Sequence, residues 1–197
     1  MRKRTNSERG VSLVETLVVM AVAAVILAIA TPSFLQAYRG YQVDNAASQV
    51  AAVLKATRFQ AIRLNTQVNF DVRAAGGQTR IWGDSNVPVN DGNEQTSEPQ
   101  TLLGGNVNLV AAGVVPNTAG LAAAIGVPVL TATSPVNGQD VFDGRGAANP
   151  AAPPGVFVLY VGNTTIPAVG YRAVVLMPSG SVQVWTVDST GAWRQPS

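Results

Sequence analysis

The sequence predicts an α+β fold: one long N-terminal helix, membrane-spanning in its first half, packed by its second half on an antiparallel β-sheet head. Three observations carry this. Leu17–Ala30 reads LVVMAVAAVILAIA, fourteen apolar residues without interruption. Downstream, Val43, Ala46, Ala47, Val50, Val53, Leu54, Thr57 and Ala61 recur at three- and four-residue steps through a polar background, the spacing of one helix face. Beyond Leu64 the period drops to two, and a helix followed by a run of strands is an α+β order.

The first element is a basic tip. Residues 1–10 carry Arg2, Lys3, Arg4 and Arg9 against Glu8, a net of +3, whereas the rest of the 197-residue chain has 9 basic and 10 acidic side chains, a net of −1. A basic tip ahead of an apolar run holds an N-terminus in the cytoplasm. It says little about nucleic acid, which needs a basic face on the folded part.

The helix is expected from about Val11 to about Leu64, on the order of 80 Å at 1.5 Å per residue. No formal charge lies between Thr16 and Tyr38. Taken from Val11 to Phe34, the stretch reaches the roughly 20 residues that cross a bilayer. Residues 35–64 form the amphipathic half. Pro32 falls near the junction, where its missing donor and its ring predict a kink or local opening. Glu15 near the start is costly in hydrocarbon, so a partner for it is expected. Three readings compete for the N-terminus: a secretory signal cut at Ala28-Ile29-Ala30, a plain anchor, or a leader cut after Gly10. The carboxylate in the apolar run and the periodicity continuing past Ala30 favour the third.

In residues 65–197, Val68, Phe70 and Val72 alternate with polar neighbours as a half-buried strand. Thr79–Trp82 pairs with it across Ala74-Ala75-Gly76-Gly77. Gly83–Gln100 reads as a long polar loop. Leu102–Val110 reads as one strand with Gly104-Gly105 as a bulge or bend. Gly113–Asn137 predicts no firm element, Asp140–Phe142 a short strand and Gly146–Pro154 a loop. Val156–Val161, Tyr171–Met177 and Ser181–Val187 are the clearest strands, with Pro178-Ser179-Gly180 as a turn.

Composition closes much of enzymology. There is no Cys and no His. Disulfides, thiolate metal sites, the Ser-His-Asp triad and the commonest general base are excluded. Lys55 is placed on an exposed helix face, and no carboxylate spacing suggests a catalytic pair. No cofactor is implied. Asn90-Asp91-Gly92-Asn93-Glu94 lacks the EF-hand spacing and reads as a solvated loop rather than a calcium site. Asn163-Thr164-Thr165 is a sequon, relevant only in a glycosylating host. Core packing accounts for Trp82, Trp185 and Trp193 as well as ligand stacking does.

Gly10-Val11-Ser12-Leu13-Val14-Glu15, after a short basic leader and before an apolar helix, resembles the processing site of type IV pilins and type II secretion pseudopilins. The resemblance covers about the first 55 residues. It implies a leader, residues 1–10, cut after Gly10 by a prepilin peptidase, with methylation of Val11, where Phe is usual. It carries the family's fifth-residue glutamate over to Glu15 and its helix-breaking proline to Pro32. Glu15 would pair with the new amine of a neighbouring subunit and set register. Phe142-Asp143-Gly144-Arg145-Gly146 ahead of the last strands resembles the F-x-x-x-G element of the H-type pseudopilin and FimT-type minor pilin branch. On its own it reads as a turn, and no Lys-Ser/Thr follows to make a phosphate loop.

The function implied is a minor pseudopilin or minor pilin of an inner-membrane-based filament, serving type II secretion or pilus biogenesis. Its partners would be the prepilin peptidase, other pilins, and the assembly platform with its ATPase. It would cross the inner membrane once, N-terminus cytoplasmic and head periplasmic, and reach the filament tip. The alternative is a DNA-binding minor pilin for DNA uptake. Some FimT-type members use a basic G-R-x-R element in the last turn. Here the comparable stretch is Gly180-Ser181-Val182-Gln183, without arginines, and convergence of Arg58, Arg63, Arg73 and Arg80 would be needed instead.

Overall fold

The computed structural model describes residues 12–86, 90–133, 135, 137–148, 156–187 and 190–195. The chain divides into two units, residues 1–38 and 39–197.

Helix α1 runs Leu13–Leu64. Ser12 carbonyl oxygen opens it, accepting from the backbone of Glu15 at 3.0 Å and Thr16 at 3.2 Å. Its end is set by Asn65, whose left-handed φ of 48° lets Thr66 N–H return to Ala61 O at 3.2 Å. Contrary to the expected local opening, the helix stays continuous through Pro32. One turn back, the Thr31 hydroxyl donates to Leu27 O at 2.6 Å. Pro32 removes one donor, and the flanking turns hold the helical path.

Within residues 39–197, the buried helix stripe is Val43, Ala46, Ala47, Val50, Ala51, Val53, Leu54, Thr57 and Ala61. It matches the expected stripe and adds Ala51. Small residues dominate it, and it packs in one core with strands of the head. Those strands form two sheets, not one. The first holds β1 (Val68–Ala75), β2 (Gln78–Asp84), β3 (Gln100–Leu103) and β6 (Asn137–Phe142) in the order β3-β2-β1-β6. The second holds β4 (Val107–Val110), β5 (Thr131–Ala132), β7 (Phe157–Asn163), β8 (Tyr171–Leu176), β9 (Val182–Val187) and β10 (Trp193–Arg194). Its order is β10-β9-β8-β7-β4, with β5 beside β7. Every pairing is antiparallel except β5–β7.

Side chains alternate between two cores. Val68, Phe70, Val72, Ile81 and Phe142 from the first sheet join Leu159, Val161, Val174 and Leu176 from the second under α1. On the second sheet's other face, Val158, Tyr160, Tyr171, Ala173 and Val175 pack with Leu121 and Trp193. All seven residues of β7 are buried. A strand covered on both faces needs a continuous apolar run, which Phe157–Val161 supplies.

Leu102–Val110 is not one strand. Gly104-Gly105 carries the chain from β3, at the edge of the first sheet, to β4, at the edge of the second, and Gly105 has φ 68°. A bulge would have kept both halves in one sheet. Gly113–Asn137 is also structured, with a 3-10 turn at Ala112–Val114 and helix α2 at Thr118–Ile125. Asn117 caps α2 by accepting from Gly120 N–H at 3.1 Å, and Gly126 ends it at φ 80°. The β1–β2 hairpin turns on Gly76 and Gly77, both at positive φ. Two left-handed positions in a two-residue loop suit the twist of the flanking strands.

Candidate functional site

Glu15 lies in the first turn of α1 and is exposed. Around it stands an unpartnered apolar surface: eleven large apolar side chains between Leu13 and Ile29, each more than half exposed. Burying them is worth on the order of 10–20 kcal/mol. A single carboxylate in hydrocarbon opposes this by a few kcal/mol. Burial wins several-fold, so Glu15 does not decide whether this segment enters an apolar phase. It decides what the segment does there. No hydrogen bond or ion pair reaches its carboxylate among the described residues. Pro32 is exposed in the same helix. Gly10 and Val11 lie outside the described residues.

The Phe142–Gly146 element is a turn with a structural task. Phe142 is fully buried in the core under α1. Asp143 Oδ1 accepts from the backbone of Arg145 and Ala147, both at 2.9 Å, and Gly146 N–H donates to Asp143 O at 2.8 Å. Arg58, from α1, clamps this turn to the β8–β9 turn: Nε donates to Gly146 O at 2.8 Å and Nη2 to Ser179 O at 3.1 Å. Ala148 N–H donates to Pro178 O at 3.1 Å. A Cβ on Gly180 would stand 1.8 Å from Gly146 O, and one on Gly144 2.8 Å from the Asn65 carbonyl carbon. Both glycines are therefore required by close backbone approach. Sequence reading singled out the glycines and named Arg58 only among cations for a polyanion, not as this clamp, whose carbonyl partners leave no pattern.

The arginines proposed to converge do so only in part. Arg73 and Arg80 are cross-strand neighbours. Arg80 pairs with Glu94, and Arg73 donates to Gly92 O at 3.0 Å while stacking over Trp82 at 5.2 Å. Arg58 is held at the turn junction described above.

Residues 85–86 and 90–98 are held around two buried carboxylates that sequence reading missed. Asp84 accepts from Asn90 N–H at 3.0 Å and Gly92 N–H at 2.6 Å. Glu98 accepts from Ser85, Asn86 and Gln95 N–H at 2.9–3.0 Å. Glu94 faces Arg80 and Asp91 caps Asn93 N–H. Among the described residues no group of three His, Cys, Asp or Glu side chains could hold a metal. Sequon residue Asn163 is 2% exposed, its Oδ1 accepting from Thr165 and Ile166 N–H.

Residues 5–31 match the prokaryotic N-terminal methylation motif. The match takes in 27 of the 197 residues, all in the N-terminal segment. The motif lies at the start of the long apolar helix, which is consistent with inner-membrane anchoring. No curated protein sequence matches this chain significantly. Among solved structures, the crystal structure of the type IV minor pilin FimU from Pseudomonas aeruginosa is similar at a TM-score of 0.45 and 13% identity. The match covers 80% of this chain and 94% of that one.

Proposed function

We propose that the chain is a minor pseudopilin or minor pilin of the H-type/FimT branch, built into an inner-membrane-based filament that serves secretion or pilus biogenesis. Residues 1–10 are the leader, cut between Gly10 and Val11 with methylation of Val11. Residues 11–34 are the membrane and filament-core helix, 35–64 its amphipathic half, and 65–197 a periplasmic head that reaches the filament tip. The carrying observation is Glu15 on a helix whose surroundings are apolar on every side. Cleavage leaves a cation at Val11, one turn away along the helix. In a bundle of such helices the carboxylate is neutralised by a neighbour's amine, which fixes register more than it adds stability.

The test replaces Glu15 with Gln in cells that make the filament. Incorporation should fall at least tenfold, while membrane insertion and removal of residues 1–10 persist. Gly10→Ala should instead block processing, and N-terminal sequencing of the wild type should read methylated Val11. Undiminished incorporation of Glu15→Gln refutes the pairing; Thr31 at the N-terminus refutes the whole reading in favour of ordinary secretion.

A further inference from the structure

Trp82 is 1% exposed yet belongs to neither hydrophobic core. The reason is its face. On β2, Ile81 and Gly83 point to α1, so Trp82, Arg80 and Gln78 share the opposite face. The register makes three rows there: Ala75 with Gln78, then Arg73 with Arg80 and Leu102, then Asp71 with Trp82 and Gln100. The first two rows, Trp82 and Glu94 line a cavity of about 260 Å³. Two features of this cavity lack an internal explanation. The buried indole Nε1 has no hydrogen-bond partner, a cost normally avoided in native structures. Arg73 and Arg80 stand directly opposite, and like charges in that position repel. Glu94 answers one of them; Asp71 lies on the same face outside the lining.

We propose that this cavity captures the C-terminal end of a partner protein, carboxylate first and apolar last side chain against the wall. Each guanidinium presents five donors. Among the described residues Arg73 gives one to Gly92 O and Arg80 one to Glu94, so donors remain to fork a carboxylate. Ala75, half-exposed Leu102 and the Trp82 ring make the apolar wall. At about 260 Å³ the space is below the roughly 300–1,000 Å³ of small-molecule sites, which suits one terminal residue rather than a cofactor. The site lies in the head and is independent of the filament reading.

The experiment titrates N-acetyl-leucine, N-acetyl-leucine amide and acetate into the full chain in detergent micelles, following the Trp82 indole signal by ¹H–¹⁵N NMR, assigned with Trp82→Phe. N-acetyl-leucine should move that signal with a Kd of about 1 mM, and the amide and acetate at least tenfold more weakly. Glu94→Gln removes the competing carboxylate and should tighten N-acetyl-leucine binding about fivefold. An unmoved Trp82 signal, equal binding of acid and amide, or equal binding of acetate overturns the proposal. So does a Glu94→Gln variant that keeps its fold and binds no tighter.

Discussion

Gly180→Ala tests the junction that joins α1, the 142–148 turn and the β8–β9 turn. Gly180 has φ 76°, where an L-residue costs about 1–2 kcal/mol. Its Cβ would lie 1.8 Å from Gly146 O, against 3.4 Å for ordinary contact, a shortfall of 1.6 Å. The obstacle is backbone, so no side-chain rotation relieves it and the two turns must part. Parting breaks the Arg58 bond to Gly146 O, a charged hydrogen bond worth about 1.5–3 kcal/mol. The total is about 3–5 kcal/mol, or a fall in Tm of roughly 10 °C for a domain of this size. Gly77→Ala is the control: φ is 78° but nothing lies within 4 Å, so about 1 kcal/mol is expected. Trp82, Trp185 and Trp193 all lie beyond residue 39, so urea unfolding followed by tryptophan fluorescence reports the head alone. Equal losses for Gly180→Ala and Gly77→Ala would refute the close approach.

Two other predictions concern the cores. Gly83→Ala places a Cβ 2.1 Å from Thr57 Oγ1, where β2 passes under α1, and should cost about 1–3 kcal/mol by overpacking. Adding Thr57→Ala should recover more than half, and strict additivity of the two changes in urea midpoint would show that the contact is not made. Burial pushes the Tyr160 hydroxyl up to about 12 from 10.0. The native state then holds a proton that the unfolded chain releases, so Tyr160 adds stability below pH 10 that is lost as pH climbs towards 12. An ultraviolet titration of the folded protein should show a late ionisation near pH 12 that Tyr160→Phe removes; an identical titration of the variant would contradict it.

Patterns that repeat were legible in the sequence; events that happen once were not. The helix end at Leu64, the β1–β2 hairpin and the β8–β9 turn each follow from a change of period or from paired turn residues. Two-sheet architecture hinges instead on Gly104-Gly105. Two glycines serve a bulge and a sheet-to-sheet crossing equally well, and long-range pairing decides between them. Helix α2 escaped because eight residues, half of them Ala and with one buried Leu121, have no room for a periodic face. Its caps, Asn117 and Gly126, were the readable signal. At the N-terminus, Glu15 stood out because a charge in an apolar run is unusual anywhere. Trp82 did not, because an aromatic in a strand is ordinary until its face is known.

Placement of the cations bears on the choice between assembly and DNA uptake. Phosphate binding draws its free energy from several cations displacing counterions together. In the head, Arg58 serves two backbone carbonyls, Arg80 faces Glu94, and Arg172, buried to 11% side-chain exposure, holds Asp44. Arg172 bridges β8 to α1, as Arg58 bridges the turns to α1. Arg58 and Arg172 tie the turns and the second sheet to the helix, Arg80 ties β2 to the loop that carries Glu94, and moving them onto phosphate would break these contacts. Four more cations, Arg2, Lys3, Arg4 and Arg9, lie in residues 1–10, the proposed leader. With Arg58, Arg80 and Arg172 already held by partners within the chain, binding a polyanion through them would have to be offset against the loss of those contacts, which is why the assembly reading is the one proposed.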